Sequence, residues 1–371
     1  MSATDNRMPL IDALKAIASQ LVLLHHFSAY GPLSAQMRES FPDVTGWLFE
    51  YARMAVQVFL VTAGFLAARA LSNQGQGLTS SPFGLIWKRY CRLAPPYFLA
   101  IGLAVIGAVI ASHWLSDEAI PARATIKQGF AHALLLQNLL GFDSLSAGVW
   151  YIAIDFQLFA LMALLLWVGR VRFVAPGLVL CLAAISLFWF NRNPEFDSWG
   201  IYFFGSYGLG AAVWWASGRK QLVLWLGVIT TVVIAALIFD FRTRILIALS
   251  VALLLGFSRR FGWLETWPTF RPLAFLGKIS YSVFLVHFPI YLIANAIFAH
   301  FYLTSTPALI ASLLFTWLIT IALATGFYHW IENPVLIKYI SSIMHKLKVR
   351  SLALTRWIAH QAKTSFLPSA P

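Results

Sequence analysis

Runs of about 20 predominantly apolar residues recur ten times along this chain, and each, at roughly 1.5 Å per residue of helix, matches the ~30 Å hydrocarbon core of a bilayer. They fall near residues 10–30, 47–71, 93–115, 148–168, 173–190, 201–217, 222–239, 245–258, 277–299 and 308–331. The composition agrees, with 60% hydrophobic and only 11% charged residues against about 45–50% and 25% in a soluble domain. An ordinary soluble enzyme is excluded, and no polar stretch is long enough for a separate soluble domain. The expectation is an all-α, polytopic membrane protein of about ten transmembrane helices, with residues 1–337 as one integral-membrane domain. The eighth run is short and the first is unusually polar. The segment FAHALLLQNLLG, residues 130–141, is too short to cross and reads as interfacial or re-entrant.

The formal charge of +13, from 27 Lys and Arg against 14 Asp and Glu, would invite a nucleic-acid partner in a soluble protein. In a membrane protein it asks instead which loops hold the positive residues. With a cytoplasmic N-terminus, the outer loops carry only Arg38, Arg123, Lys127, Arg192, Arg242 and Arg244, and most of the remainder fall inside. The expected arrangement is therefore multi-pass in the cytoplasmic (inner) membrane, both termini cytoplasmic, with the lipid bilayer as partner and no nucleic acid. The loop 240–244 runs against the trend. Residues 338–371 form a basic tail with interspersed apolar positions. It reads either as a helix on an anionic membrane surface or as a solvated tail that helps fix topology. Cys91 and Cys181 form neither a disulfide framework nor a thiolate metal site, and no metal is expected. The first run holds Asp12, Lys15, Gln20 and two histidines with no small-residue cleavage site after it, so it reads as a retained helix and not a signal peptide. Oligomeric state is not legible.

Ionisable groups inside spans each cost roughly 2.5–3.5 kcal/mol on insertion scales and are functional candidates by default. The first span concentrates them. Lys15 and His26 are eleven positions apart, which brings them back to one helix face about 16 Å apart along the axis; His25 points roughly 100° away. A neutral imidazole at that depth can take a proton from a hydroxyl, and a cation lower on the same face can hold an anionic donor. The plainer readings are a helix-packing histidine and an Asp12–Lys15 pair at i, i+3. Arg89 and Arg92, also at i, i+3, sit where the third span begins, a geometry suited to phosphate, though topology alone would place cations there; Pro95 and Pro96 should kink or restart that helix. Asp155, in the run Trp150 to Gln157, puts a carboxylate in the fourth span at the depth of His26. It could orient the imidazole, or pair with Arg53 or another buried cation.

These motifs, in order, resemble the integral-membrane acyltransferase-3 family. Members carry Arg or Lys, ten residues, then His, a spacing met by Lys15 and His26. Residues Val58 to Phe65 resemble the family's second span, Arg89-Tyr-Cys-Arg92 with Pro96 its Arg-x-x-Arg segment, and Trp150 to Asp155 its Trp-Ser-Leu-Ser-Val-Glu block. Ser280-Tyr281 to His287-Phe-Pro289 resembles its Ser-Tyr…His-x-Pro block, and Ile331-Glu332-Asn-Pro334 its closing Ile-Glu-x-Pro. Asp155 stands where many members have Glu, and Tyr151 where many have Ser. The resemblance implies transfer of an acyl group, often acetyl from acetyl-CoA or another acyl-CoA, to a hydroxyl, usually on a sugar of a surface polysaccharide, lipopolysaccharide or other glycan.

On that basis His26 is expected as general base, with Asp155 orienting a catalytic group or meeting the acceptor. Lys15, Arg89 and Arg92 would hold acyl-CoA. Trp150, Ser280, Tyr281 and His287 would line the substrate pocket, although His287 could equally be a packing residue tied to Pro289. Glu332 is expected to pair with a local cation. The competing reading is a secondary transporter or exporter of a lipid-linked glycan, with His26 and Asp155 as a proton relay; the matched half-repeats common in such proteins are not found.

Overall fold

The computed structural model describes residues 8–170 and 174–333. The basic tail, Arg7, Arg172 and Pro334 lie outside the described residues. Among the described residues the secondary structure is helical throughout, with no strand.

In chain order the helices are α1 (Pro9–Ala29), α2 (Gly31–Ser40), α3 (Pro42–Glu50), α4 (Val56–Leu71), α5 (Pro82–Ala111), α6 (Ile126–Ala133), α7 (Val149–Val168), α8 (Val174–Phe188), α9 (Gly200–Ser217), α10 (Leu222–Phe239), α11 (Thr243–Arg260), α12 (Trp263–Thr266), α13 (Arg271–His300) and α14 (Thr306–Phe327). Helices α1, α2, α3, α5, α13 and α14 all open with a proline in the first turn. There the fixed φ is already helical and the missing N–H would have had no partner. Short α6 is held by a capping box between Thr125 and Gln128.

Eight helical stretches are long and apolar enough to cross a bilayer, so the protein is a multi-pass membrane protein. Two of the ten expected spans, α9 and α11, fall short of that standard for different reasons. Helix α9, rich in Gly, Ser, Tyr and Trp, is buried along nearly its whole length by α4, α7, α8, α10 and α11. It meets protein and not lipid, so it has no need of high hydropathy. Helix α11 carries Arg244, Arg259 and Arg260 at its ends. Helices α10 and α14 show the opposite pattern. Val223, Ile238, Leu314, Phe315 and Leu318 are all exposed, an apolar surface that water would not tolerate and hydrocarbon does.

Two sequence features find their structural setting here. Pro95 and Pro96 lie inside one continuous 30-residue helix, α5, and do not restart it; packing within a bundle supports proline in such helices. The loop 240–244, contrary to the charge trend, holds arginines committed to structure. Arg242 donates to Asn191 Oδ1 at 3.0 Å and Arg244 to the Asn191 carbonyl at 2.8 Å, fastening the start of α11 to the segment after α8. The expected non-crossing segment, 130–141, contains the end of α6 followed by turns, with no helix long enough to cross.

Helices α1 and α13 run parallel, and their contact positions the site. A Cβ on Gly277 would overlap the backbone of Asp12, so only glycine permits this approach. Higher up, Tyr291 Oη donates to the Phe27 carbonyl at 2.7 Å, and Asn295 Oδ1 accepts from Leu33 N at 2.9 Å. Helix α5 lies along the other side of α13, with Gly107 against Pro289.

Candidate active site

Between the Gly277 crossing and the Tyr291 hydrogen bond, α1 and α13 present one histidine each. His26 Nδ1 and His287 Nε2 are 2.6 Å apart. The two rings are almost parallel, 3° between planes, with centroids 4.8 Å apart. Face-to-face stacking would keep the nitrogens at van der Waals distance, so the rings instead meet edge to edge in one plane. His287 is 1% exposed and His26 6%, which leaves only His26 a narrow opening.

The hydrogen bonds assign the protons. His287 Nδ1 lies 3.2 Å from the Val283 carbonyl, which can only accept, so Nδ1 carries the hydrogen and Nε2 is a lone pair. His26 Nδ1 must then donate to that lone pair. Its Nε2 is left unprotonated as the free base of the dyad. His287 thus performs for His26 the orienting task the sequence reading gave to Asp155.

Asp155 is elsewhere. It accepts from Arg89 Nη2 at 2.5 Å, and the guanidinium also lies over the Phe159 ring, 5.2 Å from its centroid. The depth matching Asp155 to His26 is corrected for a physical reason. The start of α7 is set against α13, since Gly148 abuts the Phe284 ring and Tyr151 packs on it at 5.7 Å. Phe284 is already one turn below His287, and Asp155 is a further turn along α7, so it sits about 10 Å below the dyad. Among the described residues no hydrogen bond links Asp155 to His26. Of the two partners foreseen for Asp155, the structure selects a buried cation, Arg89 in place of Arg53.

Lys15 is half-buried three turns below His26 and within electrostatic reach of Asp12, Arg92, Glu332 and Arg89. Arg92 is exposed. Glu332 accepts from Ser282 Oγ at 2.6 Å, and it feels both Arg92 and Lys15. The two arginines one turn apart at the start of α5 therefore have unlike partners. Arg89 is neutralised by Asp155, whereas Arg92 and Lys15 both act on Glu332 and Lys15 also feels Asp12.

The remaining candidates divide. Tyr281 is half-buried near Arg89 and Asp155. Ser280 Oγ donates to its own helix, to the Gly277 carbonyl at 2.9 Å. Trp150 packs on Phe203 and Tyr151, at 5.7 and 6.2 Å between ring centroids. His25 lies 3.3 Å from the Leu48 carbonyl and serves the α1–α3 contact. The sequence reading missed Tyr291 and Asn295, which fix the α1–α13 register, and the aromatic column of Phe284, Tyr151 and Phe59 between dyad and ion pair. A signal existed for the first two, since His287, Tyr291 and Asn295 recur every fourth residue on one face of α13.

An all-helical membrane bundle that buries an unprotonated imidazole nitrogen above a cluster of cations has a base and an anion-binding end in one integral-membrane protein. The chain belongs to the acyltransferase-3 family, whose acyltransferase-domain model matches residues 9–327. It is accordingly a membrane acyltransferase. No curated protein and no solved structure gave a significant match to it.

Proposed function

We propose that the protein is an O-acyltransferase that moves an acyl group, acetyl in the simplest case, from cytoplasmic acyl-CoA to a hydroxyl of a sugar in a cell-surface polysaccharide, lipopolysaccharide or other glycan. The observation that carries this reading is the His26–His287 dyad, with its outward nitrogen free to take a proton. His26 Nε2 removes the acceptor's hydroxyl proton as the oxygen attacks the thioester carbon. The C–O bond forms, the C–S bond breaks, and the proton passes from His26 to the departing thiolate. While His26 is cationic, its Nδ1–H points at the His287 lone pair, a charge-assisted bond that stabilises the charged intermediate state.

Arg92 and Lys15 would meet the phosphates of the donor, with Arg89 held by Asp155 as a fixed neighbour. The positive residues clustered at that end support a cytoplasmic donor side and both termini in the cytoplasm, with the acceptor approaching from the opposite face.

The test compares cells carrying wild-type protein with cells carrying His26→Ala at equal membrane abundance, fed isotopically labelled acetate. Mass spectrometry of the glycans and lipid-linked sugars should find a labelled acetyl increment with wild type alone. Unchanged acylation together with a glycan that fails to reach the outer surface would replace this reading with transport.

A further inference from the structure

The end of the bundle where α8, α9, α10 and α11 meet carries three arginines around one carboxylate. Arg192 Nε and Arg242 Nε each lie 3.4 Å from Asp240 Oδ2. Arg242 and Arg244 also converge on Asn191, the first through its side chain and the second through its carbonyl. Glu195 and Asp197 are exposed nearby in the chain, but Glu195 accepts from Asn193 Nδ2 at 3.0 Å and Asp197 from Ser198 Oγ at 3.3 Å. Among the described residues neither forms an ion pair with the arginines.

The three guanidiniums use their donors differently. Arg242 is fully engaged, since its side chain is 8% exposed and it donates further to the carbonyls of Ala236 and Asp240, at 3.3 and 3.2 Å. Arg244 makes one hydrogen bond, and its Nε is buried with no partner among the described residues. Arg192 is exposed, with its Nε alone engaged. Three like charges so close repel one another, and a single carboxylate does not neutralise them. Their unused N–H groups call for a further anionic acceptor.

The surroundings indicate which anion. Arg192 lies over the Phe239 ring, 4.5 Å from its centroid, and Arg244 over the Tyr202 ring at 4.9 Å. Trp189, Ile238, Phe239 and Phe241, at the adjoining ends of α8 and α10, are 65–82% exposed. Apolar and aromatic side chains left open at the ends of membrane helices mark the boundary between hydrocarbon and headgroups. At that depth the available anion is a lipid phosphate, whose chains can lie along these side chains while its oxygens meet the guanidinium forks. These arginines are also the ones that run against the charge distribution along the chain, an exception that a bound anion accounts for and topology does not.

We propose that Arg192 and Arg244, braced by Arg242, form a site for the phosphate of an anionic membrane lipid. The lipid supplies the negative charge that Asp240 alone does not, and it ties the ends of α8, α10 and α11 to the headgroup layer. The site is separate from the histidine dyad and does not rest on the acyl-transfer reading.

The experiment is native mass spectrometry of the full-length protein in a neutral detergent. It is titrated with phosphatidylglycerol, with phosphatidylcholine, which has the same phosphodiester but no net charge, and with inorganic phosphate. Wild type should bind one phosphatidylglycerol about ten-fold more tightly than phosphatidylcholine. Arg192→Gln should remove about that factor, the value of one charge-assisted hydrogen bond, and Arg192→Lys should restore part of it. Arg260→Gln, exposed at the opposite end of α11, should leave the affinity unchanged. Phosphatidylglycerol should raise the Tm of wild type more than that of Arg192→Gln, and similar Tm values without lipid show that the variant is folded. Equal phosphatidylglycerol affinity in wild type and Arg192→Gln, or an equal loss in Arg260→Gln, overturns the site. Equal affinity for the two lipids overturns the requirement for an anionic one. Displacement of the lipid by inorganic phosphate assigns the arginines to a free anion and overturns the lipid site.

Discussion

Two buried polar pairs of this protein, His26–His287 and Arg89–Asp155, lie about 10 Å apart along the helix axes and solve the same problem in opposite ways. Both put polar groups where lipid-like surroundings penalise them. The histidines remain neutral, pass a hydrogen in one direction from each ring to the next acceptor, and leave one nitrogen unused. Arginine and aspartate ionise and cancel each other, and aspartate spends its charge on its partner. A pair with an unused lone pair can do chemistry, whereas a neutralised ion pair holds helices and neighbouring groups in place.

The largest effect that would break this comparison is on catalysis. His26→Ala should lower the rate of labelled acyl transfer by about 10²–10⁴-fold, the usual contribution of a general base, while acyl-CoA affinity measured in parallel changes little. If turnover survives, the dyad is a packing feature and the contrast collapses. Next is Asp155→Ala, which should act on stability. Breaking a buried ion pair costs about 3–5 kcal/mol. The lower end applies here because the Arg89 side chain keeps 29% exposure. Denaturation in detergent should show the loss, and joint replacement of Arg89 and Asp155 by Met and Leu should recover much of it. A stable but inactive Asp155→Ala protein would return Asp155 to the chemistry.

The orienting role of His287 gives a smaller, sharper test. His287→Leu should reduce kcat about 10–100-fold with KM nearly unchanged, and His287→Gln, whose amide oxygen can accept from His26, should retain more. Equal losses in both variants would mean that His287 only fills space. The smallest effect concerns the segment between α5 and α7. There His132 donates from Nδ1 to the Gln128 carbonyl at 2.9 Å and accepts from Leu145 N at 3.2 Å. Burial holds its pKa below the ordinary 6.5. Because the folded state binds the proton less readily than the unfolded state, this contact is at full strength above pH 6.5 and weakens as pH falls below it toward the folded value. Hydrogen exchange at the Leu145 amide should therefore accelerate on acidification relative to neighbouring amides, after correction for intrinsic rates, and lose that dependence in His132→Gln.

How legible all this was depended on whether the signal was local. Lys15 and His26 stood out because polar residues on one face of an apolar helix violate an expected pattern, and one helix suffices to relate them. Asp155 was read at the wrong height because its depth depends on where α7 starts, and the segment before α7 carries its first turn down to Phe284. His287 was noticed, yet its partner lay 261 residues away, and no spacing rule spans such a separation. The span count shows the same division. The spans that face lipid declare themselves by hydropathy, while α9, wrapped in protein, is free to be polar and can be ranked only when its neighbours are known.

The sequence by itself determined that this chain lives in a bilayer, which of its runs become helices, and which rare polar residues those helices carry, because the hydrophobic effect and backbone hydrogen bonding act on each run separately. Only the tertiary structure decided who meets whom. The close approach at Gly277 and the Tyr291 and Asn295 hydrogen bonds set the register of α1 against α13, and that register joins His26 to His287 and leaves Asp155 to Arg89. Helix packing in a membrane is fixed by shape and by the pairing of a few buried donors and acceptors, which become defined only when two helices touch.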